Sequence, residues 1–393
     1  MSSAHDASSF QLTRGLTLLL AAACALAVAT VYCAQPLLES MAQSLGVPSR
    51  QVGWVVGATQ AGYALGLLLI VPLGDLLDRK RLILAQLLLS ALALVAVGLA
   101  QHWAALLAAM GMVGLMAVMV QLMVAQAATL ATPAQQGQAV GTVTSGIVLG
   151  ILLARLVAGV VADLAGWRGV YFAAAGLALL MVVLLGWRMP AARPLGQRQR
   201  YRALLRSMAV LLRDDRLLRQ RGVFALLIFA AFSVLWSSMV LPLSALQLTH
   251  TQIGLFGLAG VAGALAASRA GRLADRGLGQ RTTGLALGLL TLSWLPSLFV
   301  GQSLLALVAG VVMLDLAVQA VHVTNQSLLL AGRAEMASRL IGAYMCCYSV
   351  GSGAGAVTAS WVYGAWGWGA VCGLGAGVSA LAWGYWWWLQ RQG

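Results

Sequence analysis

The sequence predicts an all-α membrane protein with twelve transmembrane helices in two pseudo-symmetric six-helix bundles, and three observations carry that prediction. Composition is the first: 61% of the 393 residues are hydrophobic and 9% are charged, with a mean hydropathy of +0.89, against roughly 45–50% apolar residues in soluble domains. The second is the length of the apolar runs, which reach the roughly 20 residues a helix needs to cross the hydrocarbon layer. They lack the period-2 alternation of a barrel strand, so helices are the remaining way to satisfy the backbone in lipid. The third is an internal repeat. "AGWRGVY" at 165–171 returns as "AWGWGAV" at 365–371, with Trp167 and Trp368 separated by 201 residues, and Gly141 and Gly150 return as Gly342 and Gly351 at that same offset. "GDLLDRK" at 74–80 returns as "GRLADRG" at 271–277. Parallel repeats of this kind build many secondary transporters.

In chain order the runs lie near 15–38, 51–73, 82–100, 104–129, 138–162, 168–187, 222–247, 252–270, 282–300, 303–330, 339–362 and 369–389. The organisation that follows is an N-terminal tail over 1–14, a first bundle over 15–189, a basic linker over 190–221, a second bundle over 222–389 and a tail over 390–393. Arg14 and the first run resemble a signal peptide, but no A-x-A-like cleavage site follows and the run continues into Gln35 and Pro36. A retained first helix is expected. Cys24, Cys33, Cys346, Cys347 and Cys372 all fall inside apolar runs and are expected to pack as small apolar residues without a disulfide framework.

The net charge of +14 would suggest nucleic acid in a soluble protein. Here the excess sorts by side. With the N-terminus in the cytoplasm, 21 of the 24 basic residues fall on the cytoplasmic side, only Arg50 and Arg168 fall outside, and Arg155 lies within a span. That is the positive-inside pattern; it excludes a nucleic-acid partner as the reason for the charge and puts both termini in the cytoplasm. Trp54, Trp103, Trp167, Trp366 and Trp368 are expected at the outer interface, and Trp187 and Trp386 to Trp388 at the inner one. The ten arginines from Arg188 to Arg221 mark a charged spacer of amphipathic helical character lying along the anionic inner leaflet.

The turn "LGDLLDRKRLILA", Leu73 to Ala85, holds five charges in seven residues. Arg79, Lys80 and Arg81 hold the loop in the cytoplasm, while Asp75 and Asp78 can pair with basic groups or meet a positive helix N-terminus. With the run count and the basic central loop, G-x-L-x-D-R at this turn resembles the major facilitator superfamily, over nearly the whole chain. The resemblance implies that family's fold and a cytoplasmic latch at Gly74, Asp78 and Arg79, with a second copy at Gly271, Asp275 and Arg276. The usual glycine before the basic pair is absent, since the chain runs directly "DRKR". Gly137, Gly146 and Gly150 resemble the first part of the glycine motif of the family's proton-coupled antiporters. Ile151 then stands where that motif has proline, and Ala154 and Arg155 where it has paired glycines. These three glycines are expected to serve close helix packing. The family's arginine inside span 4 is missing, so no role for it is carried over.

Ionisable residues inside a membrane are costly and usually functional. Asp315, Gln319, His322, Asn325 and Gln326 recur three and four residues apart in span 10, and that spacing makes one polar stripe. Asp315 lies thirteen residues past Gln302, about 20 Å deep at 1.5 Å per residue, near the midplane. Asp315 and His322 are the expected proton carriers. Arg155 is the cation of span 5, with Asp315 across the bundle interface or Asp163 two turns along the same span as its partner. Tyr32, Gln35, Gln60, Tyr63, Gln121 and Trp236 join Gln319, Asn325 and Gln326 as expected cavity residues.

These residues describe a secondary active transporter working by alternating access. The resemblance to drug- and sugar-efflux branches implies proton-coupled export of a small organic or amphipathic compound. Proton-coupled uptake is the alternative within the class. A lipid-modifying membrane enzyme would need a metal-ligand cluster or a nucleophile–base pair near an interface, and no DDxxD, HExxH, GxSxG or P-loop pattern occurs. A receptor or structural role leaves the buried polar stripe without use. The expected partners are a small-molecule substrate, protons and the lipid bilayer, with no nucleic acid, no metal and no cofactor. A monomer in a bacterial inner membrane is expected.

Overall fold

The computed structural model describes residues 12–132, 135–190, 201–333 and 336–392. Among them no strand occurs. The first half of the chain contains α1 (Arg14–Tyr32), α2 (Leu38–Ser44), α3 (Gly53–Leu69), α4 (Arg79–Leu99), α5 (Trp103–Ala117), α6 (Met119–Leu130) and α7 (Gln136–Arg188). After α8 (Tyr201–Asp214), the second half contains α9 (Arg216–Ser238), α10 (Val240–Ala245), α11 (His250–Leu255), α12 (Gly260–Leu273), α13 (Gly279–Leu292), α14 (Trp294–Ser297), α15 (Leu304–Leu330) and α16 (Ala337–Gln390).

Eight helical stretches among the described residues, not twelve, are long and apolar enough to cross a membrane. The difference has a backbone cause. A straight helix as long as the 53-residue α7 would run about 80 Å, far beyond the roughly 30 Å of hydrocarbon. Gly166, at φ 73° and ψ 168°, breaks it, in a conformation that only glycine enters readily. The arm before Gly166 runs alongside α1, with Gly146 and Gly150 against the Ala21 and Ala25 carbonyls; the arm after it returns along α4, from Phe172 at Gly98 to Gly186 at Leu84. Gly367 breaks the 54-residue α16 in the same way. The runs near 252–270 and 282–300 are instead interrupted, the first as α11, a 3-10 turn at Phe256–Ala259 and α12, the second as α13 and α14.

The sequence repeat reappears as packing. A Cβ on Gly150 would collide with the Ala25 carbonyl of α1, and one on Gly351 with the Leu226 carbonyl of α9, both residues 201 positions further on. Backbones this close replace the hydrophobic drive that lipid removes. Gly137 differs from Gly146 and Gly150, having open space where its side chain would stand; it does not serve helix packing. Its place at the exposed start of α7 is the reason. Trp167 is buried at 6% exposure and donates to Ser44 Oγ at 3.0 Å, and Trp368 donates to the Ser297 carbonyl at 2.8 Å. Both indoles tie helices together.

At the charged turn, Asp78 caps α4, its carboxylate accepting from the Lys80 amide at 2.8 Å and the Arg81 amide at 3.4 Å. Arg79 donates through Nε to the Gly74 carbonyl at 2.9 Å and through Nη1 to Thr129 Oγ1 at 2.8 Å. The turn is thereby fastened to the end of α6. Gly74 is buried under Leu122. In the second copy, Gly271 faces Val323 and the chain turns at Gly277, φ 77°; the Asp275 side chain lies outside the described residues. Asp78→Ala is expected to cost about 1 kcal/mol, the usual worth of a helix cap, while Asp78→Asn retains an acceptor and costs less. Thermal unfolding of the two purified variants checks this, and equal stability of Asp78→Ala and wild type would mean that the cap does not hold α4.

The residues 191–200 of the basic linker lie outside the described residues. Its later part, α8, precedes Asp215, which caps α9 through the Leu218 amide at 2.8 Å and pairs with Arg333. Burial works against the charge, but the Leu218 N–H and the Arg333 guanidinium hold the Asp215 carboxyl below its ordinary range.

Candidate functional site

For orientation, the near end of the molecule is where α1 begins and α16 finishes, and the far end is where α7 and α16 break at Gly166 and Gly367. The two halves meet along a glycine-lined seam that is densest towards the far end. A Cβ on Gly53 of α3 would collide with the Ala356 carbonyl of α16, and one on Gly254 of α11 would stand 2.5 Å from the Arg155 carbonyl of α7. Gly254 is 201 residues beyond Gly53, and Ala356 is 201 beyond Arg155, so the seam has the same twofold logic as the halves. At its far edge Asp163 accepts from the His250 amide at 3.1 Å, the Thr251 amide at 2.9 Å and the Thr251 hydroxyl at 2.6 Å, and lies 2.8 Å from His250 Nδ1. Ser40 Oγ, beyond α1, lies 2.5 Å from His250 Nε2.

Arg155 therefore stands at a seam position whose counterpart is an alanine. Its side chain reaches out of α7 into a buried centre. The chain bends after Tyr32 because Pro36 starts a short 3-10 turn, and Gln35 on that turn accepts from Arg155 Nε at 2.5 Å. α9 brings Trp236 beneath the guanidinium, 3.7 Å from its carbon to the ring centroid, while Tyr32 and Phe232 lie at 5.2 and 5.8 Å. The other edge of the same indole donates from Nε1 to Asp315 Oδ1 at 3.0 Å. Arg155, Trp236 and Asp315 are 2%, 2% and 4% exposed.

Neither carboxylate named as a partner for Arg155 forms an ion pair with it. Asp163 is taken by α11, and Asp315 is held at the N–H edge of Trp236. Arg155 Nη2 is buried with no hydrogen-bond partner. A cation stacked on an aromatic face gains about 0.5–2 kcal/mol, and Trp236 serves both charges at once: its face holds the cation and its N–H the anion.

Towards the near end, the cavity between the halves has a volume of about 120 Å³ and is lined by Tyr32, Gln60, Tyr63 and Gln121 from the first half and by Met345 and Tyr348 of α16, among aliphatic residues. The Tyr32 and Tyr348 hydroxyls lie 2.8 Å apart and close it on the side of Arg155. Gln35 and Trp236 belong to the charged centre instead. Gln319 packs against Gly263 of α12.

The rest of the α15 stripe forms a third group. His322 Nδ1 lies 3.0 Å from the Tyr344 hydroxyl, Gln326 Nε2 lies 3.2 Å from His322 Nε2, and Asn325 donates to Tyr344 at 3.5 Å. Arg221 donates from Nη1 to Asn325 Oδ1 at 3.3 Å. Only 3% of Arg221 is exposed, so a residue counted with the linker charges is in fact a second buried cation. Its position at the edge of an apolar run gave it the appearance of a topology signal. Tyr344 and Tyr348, one helical turn apart, are the other contributors that sequence reasoning missed; their i,i+4 spacing beside Met345 was the available sign.

A helical membrane bundle with buried charges at the seam of two repeated halves is the build of a transporter. The Major Facilitator Superfamily model matches residues 18–355, and the chain belongs to that family. It is 41% identical over 366 residues, 92% of each chain, to the transporter YgaY of Escherichia coli K12. It is 31% identical to the transporter SCO4007 of Streptomyces coelicolor, over 91% of this chain and 83% of that one. Among solved structures, a bacterial homolog of the human lysosomal transporter Spinster shares the fold with a TM-score of 0.79 at 14% identity, over 96% of both chains. The protein is a multi-pass membrane transporter and not an enzyme.

Proposed function

We propose that this transporter exports a small organic or amphipathic compound in exchange for protons. Two bundles, 15–189 and 222–389, make twelve crossings in all and rock about the buried centre as a monomer in a bacterial inner membrane, with the near end and both termini in the cytoplasm. The observation that carries the reading is the shared indole: Trp236 touches both the carboxylate that can take a proton and the cation that cannot lose one.

A proton arriving at Asp315 removes the charge that balances Arg155 across the ring. Arg155 keeps its charge in either state, and its side chain bridges α1 through Gln35 to α9 through Trp236. Protonation therefore changes the balance of forces across the seam between the halves. In this scheme a bound proton and a filled cavity are alternatives, which is the requirement for exchange. His322, in the neighbouring group on α15, is the second proton carrier in this scheme, and Asp78 with Arg79 the near-end latch.

Proteoliposomes carrying an imposed pH gradient test it. Exchange accumulates the transported compound on the acidic side; movement in the same direction as the proton would replace export by symport, and transport indifferent to the gradient would remove proton coupling. Arg155→Leu is expected to lower stability by up to about 3 kcal/mol, because it leaves a buried carboxylate without a counter-charge. Adding Asp315→Asn should restore most of the folded yield without restoring coupling. Rescue by Asp163→Asn in its place would show that the balance lies at the far edge of the seam.

A further inference from the structure

Resting on the transporter reading above, we propose that the cavity between the halves takes a small uncharged aromatic molecule carrying one O–H or N–H donor, of the size of a single substituted ring, and rejects organic cations. Size is the first argument. The space of about 120 Å³ is close to the roughly 150 Å³ of an apolar protein cavity that accommodates benzene. Chemistry is the second. Among the described residues no Asp, Glu, Lys, Arg or His lines the cavity; the polar groups in its wall are the amides of Gln60 and Gln121 and the hydroxyls of Tyr32, Tyr63 and Tyr348. A charged ligand would leave water without an opposite charge to receive it.

Gln60 gives the third argument. It is 3% exposed, and its Oε1 is buried with no hydrogen-bond partner. A buried acceptor left unpaired is costly, and a ligand donor would relieve it. The fourth argument is the nearest charge behind the wall. The Arg155 guanidinium carbon lies 5.2 Å from the centroid of the Tyr32 ring, and the Asp315 carboxylate is engaged by the Trp236 N–H. Of the three tyrosine rings in the wall, Tyr32 already has the protein's own cation against it, and like charges across a low-dielectric wall repel.

Four single-ring probes test the assignment in equilibrium binding to the purified full chain: phenol, its methyl ether anisole, benzoate and benzylammonium. Phenol is expected to bind about fivefold or more tightly than anisole, and benzylammonium about tenfold more weakly than phenol. Gln60→Leu should erase the difference between phenol and anisole; Gln60→Met, closer in shape, gives the same reading if the leucine variant does not fold. Benzoate or benzylammonium binding as well as phenol would overturn the proposal, as would a preference for phenol that survives both variants. Because no gradient is present, this ranking does not depend on proton coupling. Loss of coupling in proteoliposomes would leave it standing, and a reversed ranking would leave Asp315 in its role.

Discussion

Asp315→Asn is expected to reduce gradient-driven transport by roughly 5- to 150-fold, the range that 1–3 kcal/mol of coupling spans, while leaving the fold and passive exchange of substrate in place. Asparagine has the shape of aspartate and keeps an oxygen for the Trp236 N–H, which now meets Asp315 Oδ1 at 3.0 Å. Trp236 should therefore stay beneath Arg155. What asparagine lacks is a proton to bind and release. The variant holds the centre permanently in the neutral form, so the seam should favour one arrangement whatever the pH on either side. Two measurements on the same preparation check this: uptake driven by an imposed pH gradient, and exchange of labelled for unlabelled compound without one. Loss of the first with survival of the second is the expected result. Gradient-driven uptake equal to wild type would take Asp315 out of the mechanism.

Asp315 and Arg155 were legible in the sequence because a charge inside an apolar run stands out whatever surrounds it. Their relation was not. It depends on an indole from α9 inserted between residues of α7 and α15, and nothing in the spacing of Trp236 says which two helices it will separate. Arg221 shows the opposite failure: one position before a run, a basic residue has the same appearance whether it faces water or, as here, packs at 3% exposure beside Asn325. The repeat was visible as the Gly-Trp pair that recurs at Trp167 and Trp368. Its physical content, the paired close approaches at Gly150 and Gly351, follows from contacts that a single helix does not contain. The count of crossings suffers from a similar limit, since hydropathy marks where a chain is apolar and one glycine at φ 73° or φ 76° decides whether a long helix is continuous.

Gly254→Val is expected to shift the protein away from the arrangement in which the far end is shut. The reason lies in what the new side chain would meet. A Cβ there would stand 2.5 Å from the Arg155 carbonyl oxygen, 3.0 Å from its carbon and 3.0 Å from Leu156 Cα, so backbone of the other half is in the way and no flexible side chain can yield. Overpacking of this kind costs about 1–3 kcal/mol, which changes a two-state population ratio by roughly 5- to 150-fold. Opening the far end relieves the clash without unfolding either half, since Gly254 packs on the opposite half of the chain. The substitution should thus trap one state rather than destroy both. Gly53→Val, against the Ala356 carbonyl, should act alike from the other side of the seam, whereas Gly137→Val, with open space around it, should do nothing. Spin labels at positions 54 and 361, exposed on opposite halves, report the far-end separation. A longer distance in both seam variants, unchanged in Gly137→Val, is the expected pattern; an unchanged distance with lowered stability would mean that the glycines hold a fixed fold and that the seam does not open.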